Sequence, residues 1–466
     1  MLTYSFEDKG NDSLYEYLYK KIKSDILSLQ LSPGEKLPSK RALAKHLNIS
    51  TITVENAYNQ LIAEGYLYSV PKSGFYVSDI SGHTTPAPRT LLPRRESPEQ
   101  RREYLADFSG NSTLPEAFPF STWSKLMRET LSENTDKLMV RSPSGGVLAL
   151  RNAIADYLYQ FRGMIVEPSQ IIIGAGTEYL YGLLIQLLGR DIIYATEDPG
   201  YRKISSIYAA GQVNCVPVPL DKHGVSVNYL EECGADILHI SPSHHFPTGI
   251  VTPINRRYEL LAWAKKNSRR YIIEDDYDSE FRMQGKPIPT MQSIDNTGKI
   301  IYINTFSKSL SSTIRISYMV LPKALLLKYN ETLSFYACTV SNFEQYTLAK
   351  FIHRGYLEKH INRLRNHYRT QRDLLLSCIK KQPFFPRVKI REEHSGLHFL
   401  MEIETNLPDE VLIKKAEDCG IHISCLSQYY HDKSMAREHT LVLNYSALKK
   451  ENLAHSVDLL FRCLFE

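Results

Sequence analysis

The sequence predicts a multidomain chain: a small helical domain closed by a β-hairpin, then an α/β domain that ends in a small C-terminal α+β subdomain. Three observations predict it. At 466 residues the chain is too long for one hydrophobic core. The stretch SGHTTPAPRTLLPRRESPEQRRE, from Ser81 to Glu103, is rich in Pro, Ser, Thr and Arg and carries neither a helical nor a strand period, as an exposed linker should. Beyond it, strand-like and helix-like segments alternate, the signature of an α/β sheet. The domains are therefore expected at residues 1–80 and 106–466, joined by a linker at 81–105.

In the small domain Leu14, Leu18, Ile22 and Ile26 recur every four residues and predict a helix with one apolar stripe. The turn LSPGEKLP stops it. Ser39 is a good N-cap for a short helix KRALAKHL, and Ser50 for a second, TITVENAYNQLIAEG. Val54, Ala57, Tyr58, Leu61 and Ile62 bury one face of that second helix and leave Thr51, Thr53 and Asn56 on another. Gly65 ends it, and YLYSVPKSGFYVS reads as two short strands around a Pro-Lys-Ser-Gly turn. A helix, a helix pair with the tight connection Asn48 to Ser50, and a hairpin follow the order of a winged helix-turn-helix. Major-groove recognition uses the N-terminal residues of the second helix of such a pair, which here are small and polar.

Composition narrows the function. No run of about 18 apolar residues occurs, and the start MLTYSFEDKGND is polar and acidic, so neither a membrane span nor a secretory signal is expected, and a cytoplasmic location is. Seven cysteines, an odd number without any C-x-x-C, argue against a disulfide framework and a zinc site and are expected as buried thiols. The net charge of +5 favours a polyanion partner only weakly. Residues 32–78 carry five Lys/Arg against three Glu, so DNA recognition must rest on geometry.

PGEKLPSKRALAKHLNIS, TVENAYNQLIAEGYL and SGFYV together resemble the GntR-type winged helix across the whole small domain. The resemblance implies double-stranded promoter DNA as partner. Arg41 would then hold a backbone phosphate, and Lys40 and Ser50 are further DNA-binding candidates. Thr51, Thr53 and Asn56 would face the groove, and Lys72 with Gly74 would form the wing tip. Thr51 stands where the family often has Arg, a departure at the groove-facing start of the helix.

In the large domain the strand QIIIGAG runs into the helix TEYLYGLLIQLLG, so the backbone N–H groups of Gly176, Thr177 and Glu178 would point out of a helix start, a ready phosphate site. Tyr201 follows a Pro-Gly turn and could lie over a planar ligand. RRYIIEDDYDSEF carries a buried-looking strand into Asp275 and Tyr277, which share a face. KIIYI, β-branched and aromatic, leads to NTFSKSLSSTIR, where Lys308 sits past a strand end with Ser307 before it and Arg315 seven residues on. Each group has a place in pyridoxal 5'-phosphate (PLP) chemistry. A lysine amine forms a Schiff base with an aldehyde, an aspartate keeps a pyridinium nitrogen protonated, a tyrosine bonds the phenolic oxygen, and Ser with Arg hold a phosphate dianion.

SGGVLALRNAIADYL, EDPGY, SPSHHFPTG, IIEDDYDSEFR and TFSKSLSSTIR resemble the α/β/α fold of type I PLP-dependent transferases over nearly all of residues 106–466. With the winged helix in front, the whole chain resembles the MocR/GabR regulators. The resemblance implies Lys308 as the catalytic, cofactor-bearing lysine, Tyr201 stacked on the ring, Asp275 at its nitrogen, Tyr277 at its phenolic oxygen and Arg315 at the phosphate. It also implies a homodimer. Two departures stand out. The aminotransferase N-P-T-G reads FPTG after His244 and His245, so His245 is a candidate substitute donor. The late strand TLVLNYSAL lacks the Arg that holds a substrate carboxylate, which leaves Arg437, five residues before Val442, as a candidate effector anchor.

Two functions follow. One is a PLP-dependent transcription regulator that does not turn over and senses an amino acid, an amine or PLP itself. The other is an aminotransferase with an accessory DNA-binding domain. The complete winged helix and the missing late-strand Arg favour the regulator.

Overall fold

The computed structural model describes residues 2–6, 9–10, 12–80, 104–110, 115–283, 288–394 and 396–466. They fall into two compact units, one within residues 1–100 and one within 101–466. The expected linker at 81–105 lies outside the described residues apart from Tyr104 and Leu105.

The small unit runs α1 (Leu14–Leu27), β1 (Lys36–Leu37), α2 (Lys40–Leu47), α3 (Thr51–Ala63), β2 (Leu67–Val70) and β3 (Gly74–Val77). Capping decides the helix pair. Ser39 Oγ accepts from the Ala42 N–H at 3.2 Å and Ser50 Oγ from the Thr53 N–H at 3.1 Å, and Asn48 takes the left-handed conformation that ends α2. Leu18, Ile22 and Ile26 of α1 meet Leu43, Val54, Ala57, Tyr58 and Leu61 in one buried core. Leu14, expected in that stripe, is exposed because it is the first residue of the helix, at the core's rim. β3 lies between β1 and β2, antiparallel to both, and forms the wing.

In the large unit β4 (Ala106–Asp107) precedes an eight-stranded sheet. Its strands are β5 (Ile171–Gly174), β6 (Ile193–Asp198), β7 (Asn214–Asp221), β8 (Gly224–Val225), β9 (Ile237–Ile240), β10 (Tyr271–Asp275), β11 (Ile300–Thr305) and β12 (Ser317–Val320). Their spatial order is β5-β12-β11-β10-β9-β6-β7-β8. β6, β7, β9, β10 and β11 are parallel, so the C-terminal ends of β6, β10 and β11 share one edge. β12 runs antiparallel to both neighbours and pairs Ser317 with Gly174 and with Thr305. That register brings Arg315, just before β12, to the edge where β5 and β11 end. β5, β9, β11 and β12 are buried throughout and β10 from Ile272 onward, as strands covered on both faces must be.

The C-terminal subdomain holds β13 (Val388–Arg391), β14 (His398–Ile403), β15 (Ile421–His422), β16 (Ser424–Cys425) and β17 (Thr440–Asn444). Four of these form an antiparallel sheet, β13-β14-β17-β16, while β15 pairs with β4. One expectation needs correction here. Cys419 and Cys463 form a disulfide, and of the five remaining thiols only Cys425 is fully buried. Cys419 closes the helix Asp409–Asp418 and Cys463 lies in the helix Leu453–Phe465. The two helices pack together, which a separation of 44 residues does not reveal. Among the described residues no helix is long and apolar enough to cross a membrane.

Candidate functional site

The DNA-facing candidates lie at the start of α3 and on the wing. Thr51 and Asn56 are exposed, Thr53 is half-buried, and Arg41 at the start of α2 is exposed. Ser50 spends its hydroxyl on the cap and on Thr53 Oγ1 at 2.8 Å. Lys40 is already engaged: its ammonium is 2.6 Å from Glu55 Oε1 and lies over the Phe75 ring. Lys72 is exposed in the hairpin turn with φ 60°, and Gly74 follows with φ 134°. Ile52, missed in the sequence, is 69% exposed among the polar groups of the first turn of α3. If Arg41 holds a backbone phosphate, Arg41→Ala weakens binding to all DNA alike and lowers the salt-dependence slope by about one. Asn56→Ala then weakens operator binding more than random-DNA binding. Fluorescence anisotropy at several salt concentrations reads both effects.

In the large unit a cavity of about 750 Å³ opens at the shared strand edge, lined by Thr177, Tyr201, Asp275, Tyr277, Ser307, Lys308 and Arg315 among others. The elements explain the gathering. Asp275 is the last residue of β10, Lys308 sits in the single turn Phe306–Ser309 that follows β11, and Thr177 opens the helix Thr177–Leu188 after β5. Gly176 caps that helix with φ 92°, and a Cβ on it would run into the Arg315 guanidinium. Glycine is therefore what lets Arg315 lie against the helix start. Ser307 is fixed by Thr305, whose Oγ1 accepts from the Ser307 N–H at 3.1 Å.

Burial pulls the Lys308 ammonium down to about 8, opposed by the negative charge of Asp278. At neutral pH far more of such an amine is neutral than of an ordinary lysine. Neutral amine is the nucleophilic form.

Asp275 is held from behind. Its Oδ2 accepts a short hydrogen bond from Tyr181, and His239 Nε2 lies 3.6 Å from the same oxygen. Tyr208 hydrogen-bonds His239 Nδ1 at 2.7 Å. Asp275 Oδ1, by contrast, is buried with no hydrogen-bond partner among the described residues. A buried carboxylate oxygen without a partner is costly, and a pyridinium N–H would complete it. The donor set therefore fits a PLP ring. Tyr277 bonds His244 Nδ1 at 3.2 Å, and Asp278 lies 2.8 Å from that same nitrogen.

Two candidates lie elsewhere, and a third only borders the cavity. His245 does not line the cavity; it is buried between Thr248, at 2.6 Å, and Glu197, at 3.5 Å. Burial pushes its imidazole down to about 3. The FPTG turn folds back on itself through Thr248, which takes up the imidazole that the sequence offered as a donor. Arg437 is exposed and also outside the lining, in the segment before β17. Gly176 contributes backbone only and is not among the lining residues. Conversely, Tyr181, His239 and Lys203 line the cavity and were not singled out, and Glu178, expected only for its backbone N–H, lines it too. Tyr181 follows Thr177 by one helical turn, a spacing that could have pointed to it.

Residues 14–77 match the family described as bacterial regulatory proteins of the gntR family, and residues 109–460 match aminotransferase class I and II. The HTH-type transcriptional regulator YdeL of Bacillus subtilis is 38% identical over 448 residues, covering 95% of each chain. A protein of Rhizobium meliloti named as the rhizopine catabolism regulatory protein MocR is 29% identical, covering 96% of this chain and 92% of its own. The multiple substrate aminotransferase of Thermococcus profundus superposes with a TM-score of 0.69 at 23% identity, over 80% of this chain and 95% of that one, which shows the fold. The chain belongs to the MocR/GabR-type regulators, in which a GntR-family winged helix is fused to an aminotransferase class I and II domain.

Proposed function

We propose that this regulator holds PLP in the cavity of its large unit and changes its use of promoter DNA when an amino acid, an amine or PLP itself fills that cavity. The aminotransferase class I and II family is PLP-dependent. The observation that carries the proposal is the Asp275 carboxylate, braced on one oxygen and left unpartnered on the other. It stands in the same cavity as an amine depressed to about 8. In this reading the N–H groups at the start of Thr177–Leu188, Ser307 and Arg315 hold the phosphate. Asp275 holds the ring nitrogen, Tyr277 presents its hydroxyl to the ring oxygen, and Tyr201 covers a ring face at the cavity mouth. PLP, when bound, supplies an aldehyde that condenses with primary amines, which is the chemistry that would make the cavity selective for amines.

The reading places the protein in the cytoplasm as a homodimer carrying two winged helices, with domains at 1–80 and 106–466 about the linker. It assigns no sustained turnover, because β17 lacks an arginine and Arg437 is exposed outside the cavity. The test is to give the PLP-loaded protein an amino acid and then pyruvate or 2-oxoglutarate. No continuing formation of a second amino acid is expected. Steady multiple turnover would make the protein an aminotransferase.

A further inference from the structure

A carboxylate already stands where the cavity is to bind an anion. Glu178 is the second residue of the helix Thr177–Leu188, within the first turn, and it lines the cavity with Ser307 and Arg315. Its Oε2 lies 3.1 Å from Nη2 of Arg315, and its Oε1 makes an ion pair with Lys203. The hydrogen bond from Lys203, with the charge of Arg315 beside it, holds the Glu178 carboxyl below its ordinary range, so it is ionised at neutral pH. An acidic side chain in a first helical turn is ordinarily favourable to the helix dipole. Here it also occupies the guanidinium that a phosphate needs, in the space that Gly176 leaves open.

We propose that Glu178 competes with the phosphate of PLP for Arg315 and so lowers cofactor affinity until occupancy can follow the free PLP concentration. The inference rests on the PLP reading of the cavity. A phosphate dianion arriving at the helix start must draw Arg315 away from Glu178 and accept a carboxylate in the same turn. Lys203 remains beside Glu178 and keeps that carboxylate paired. The group is about half exposed, so its repulsion is partly screened, and the expected effect is about tenfold in affinity. The positive helix end and Arg315 would otherwise bind the phosphate as a permanent fixture. With Glu178 present, the bound fraction becomes a quantity that the cell can vary.

The test is a titration of the cofactor-free protein and of its Glu178→Gln and Glu178→Ala variants, followed by intrinsic fluorescence. Three probes are used: PLP, pyridoxal and inorganic phosphate. Both variants are expected to bind PLP and inorganic phosphate about tenfold more tightly than the wild type. Their affinity for pyridoxal, which has no phosphate, should stay within about twofold. Wild-type protein that takes up no PLP overturns the reading of the cavity itself, and the proposal with it. Wild-type binding with unchanged or weaker binding by both variants overturns the role of Glu178 alone. An equal gain for PLP and pyridoxal does the same, because it would not come from the phosphate.

Discussion

Lys308→Ala protein, treated with PLP and then borohydride, is expected to carry no fixed label, whereas the wild type carries it on the peptide that contains Lys308. The reason lies in the amine's surroundings. Lys308 sits in a single turn after β11, and burial brings its ammonium down to about 8. A depressed lysine gives up its proton on the alkaline side of that value and regains it below. Acylation of Lys308 by a small reagent, read by mass spectrometry, should therefore rise about tenfold per pH unit below about 8 and level off above it. A rate still climbing at pH 10 would restore the ordinary lysine value. A fixed label that persists in Lys308→Ala would move the attachment to another amine.

Asp275→Ala is expected to weaken PLP binding on the order of a hundredfold, the loss of one buried charge-assisted hydrogen bond of about 2–3 kcal/mol. Equilibrium dialysis measures it directly. Tyr181→Phe should cost less, since it removes one brace from Oδ2 and leaves the carboxylate with His239 nearby. The ordering separates contact from support: the aspartate proposed at the ring nitrogen is expected to have the larger effect and the tyrosine behind it the smaller. Binding by folded Asp275→Ala within about twofold of wild type would contradict the assignment.

The strand-end groups were legible because each follows an apolar run that stops abruptly: IIIG before Thr177, YIIE before Asp275, IIYINT before Lys308. A parallel sheet gathers such ends on one edge whatever their distance in sequence. The supports behind them were not legible. His239 lies inside the buried strand β9, and Tyr181 lies on the inward face of an apolar helix, where a single polar residue looks like core. Only the neighbouring strand order shows that both back onto Asp275. His245 misled for the opposite reason. A histidine in a turn beside a cofactor motif suggests a donor, but the turn folds back on Thr248 and buries it away from the cavity. In the small unit the caps at Ser39 and Ser50 were legible because capping is local chemistry. The Lys40–Glu55 pair was not, since it joins α2 to α3 across the turn.

If one chain joins an amine-sensing cavity to a DNA reader, footprinting on the DNA upstream of its own gene reads the connection. Wild-type protein and Lys308→Ala are compared without additions, with PLP, and with PLP plus candidate amines. Both proteins are expected to protect the DNA without additions, because the winged helix has its own buried core. Only the wild type should change its protection pattern or affinity when PLP and an amine are added. A full response from folded, dimeric Lys308→Ala would contradict it.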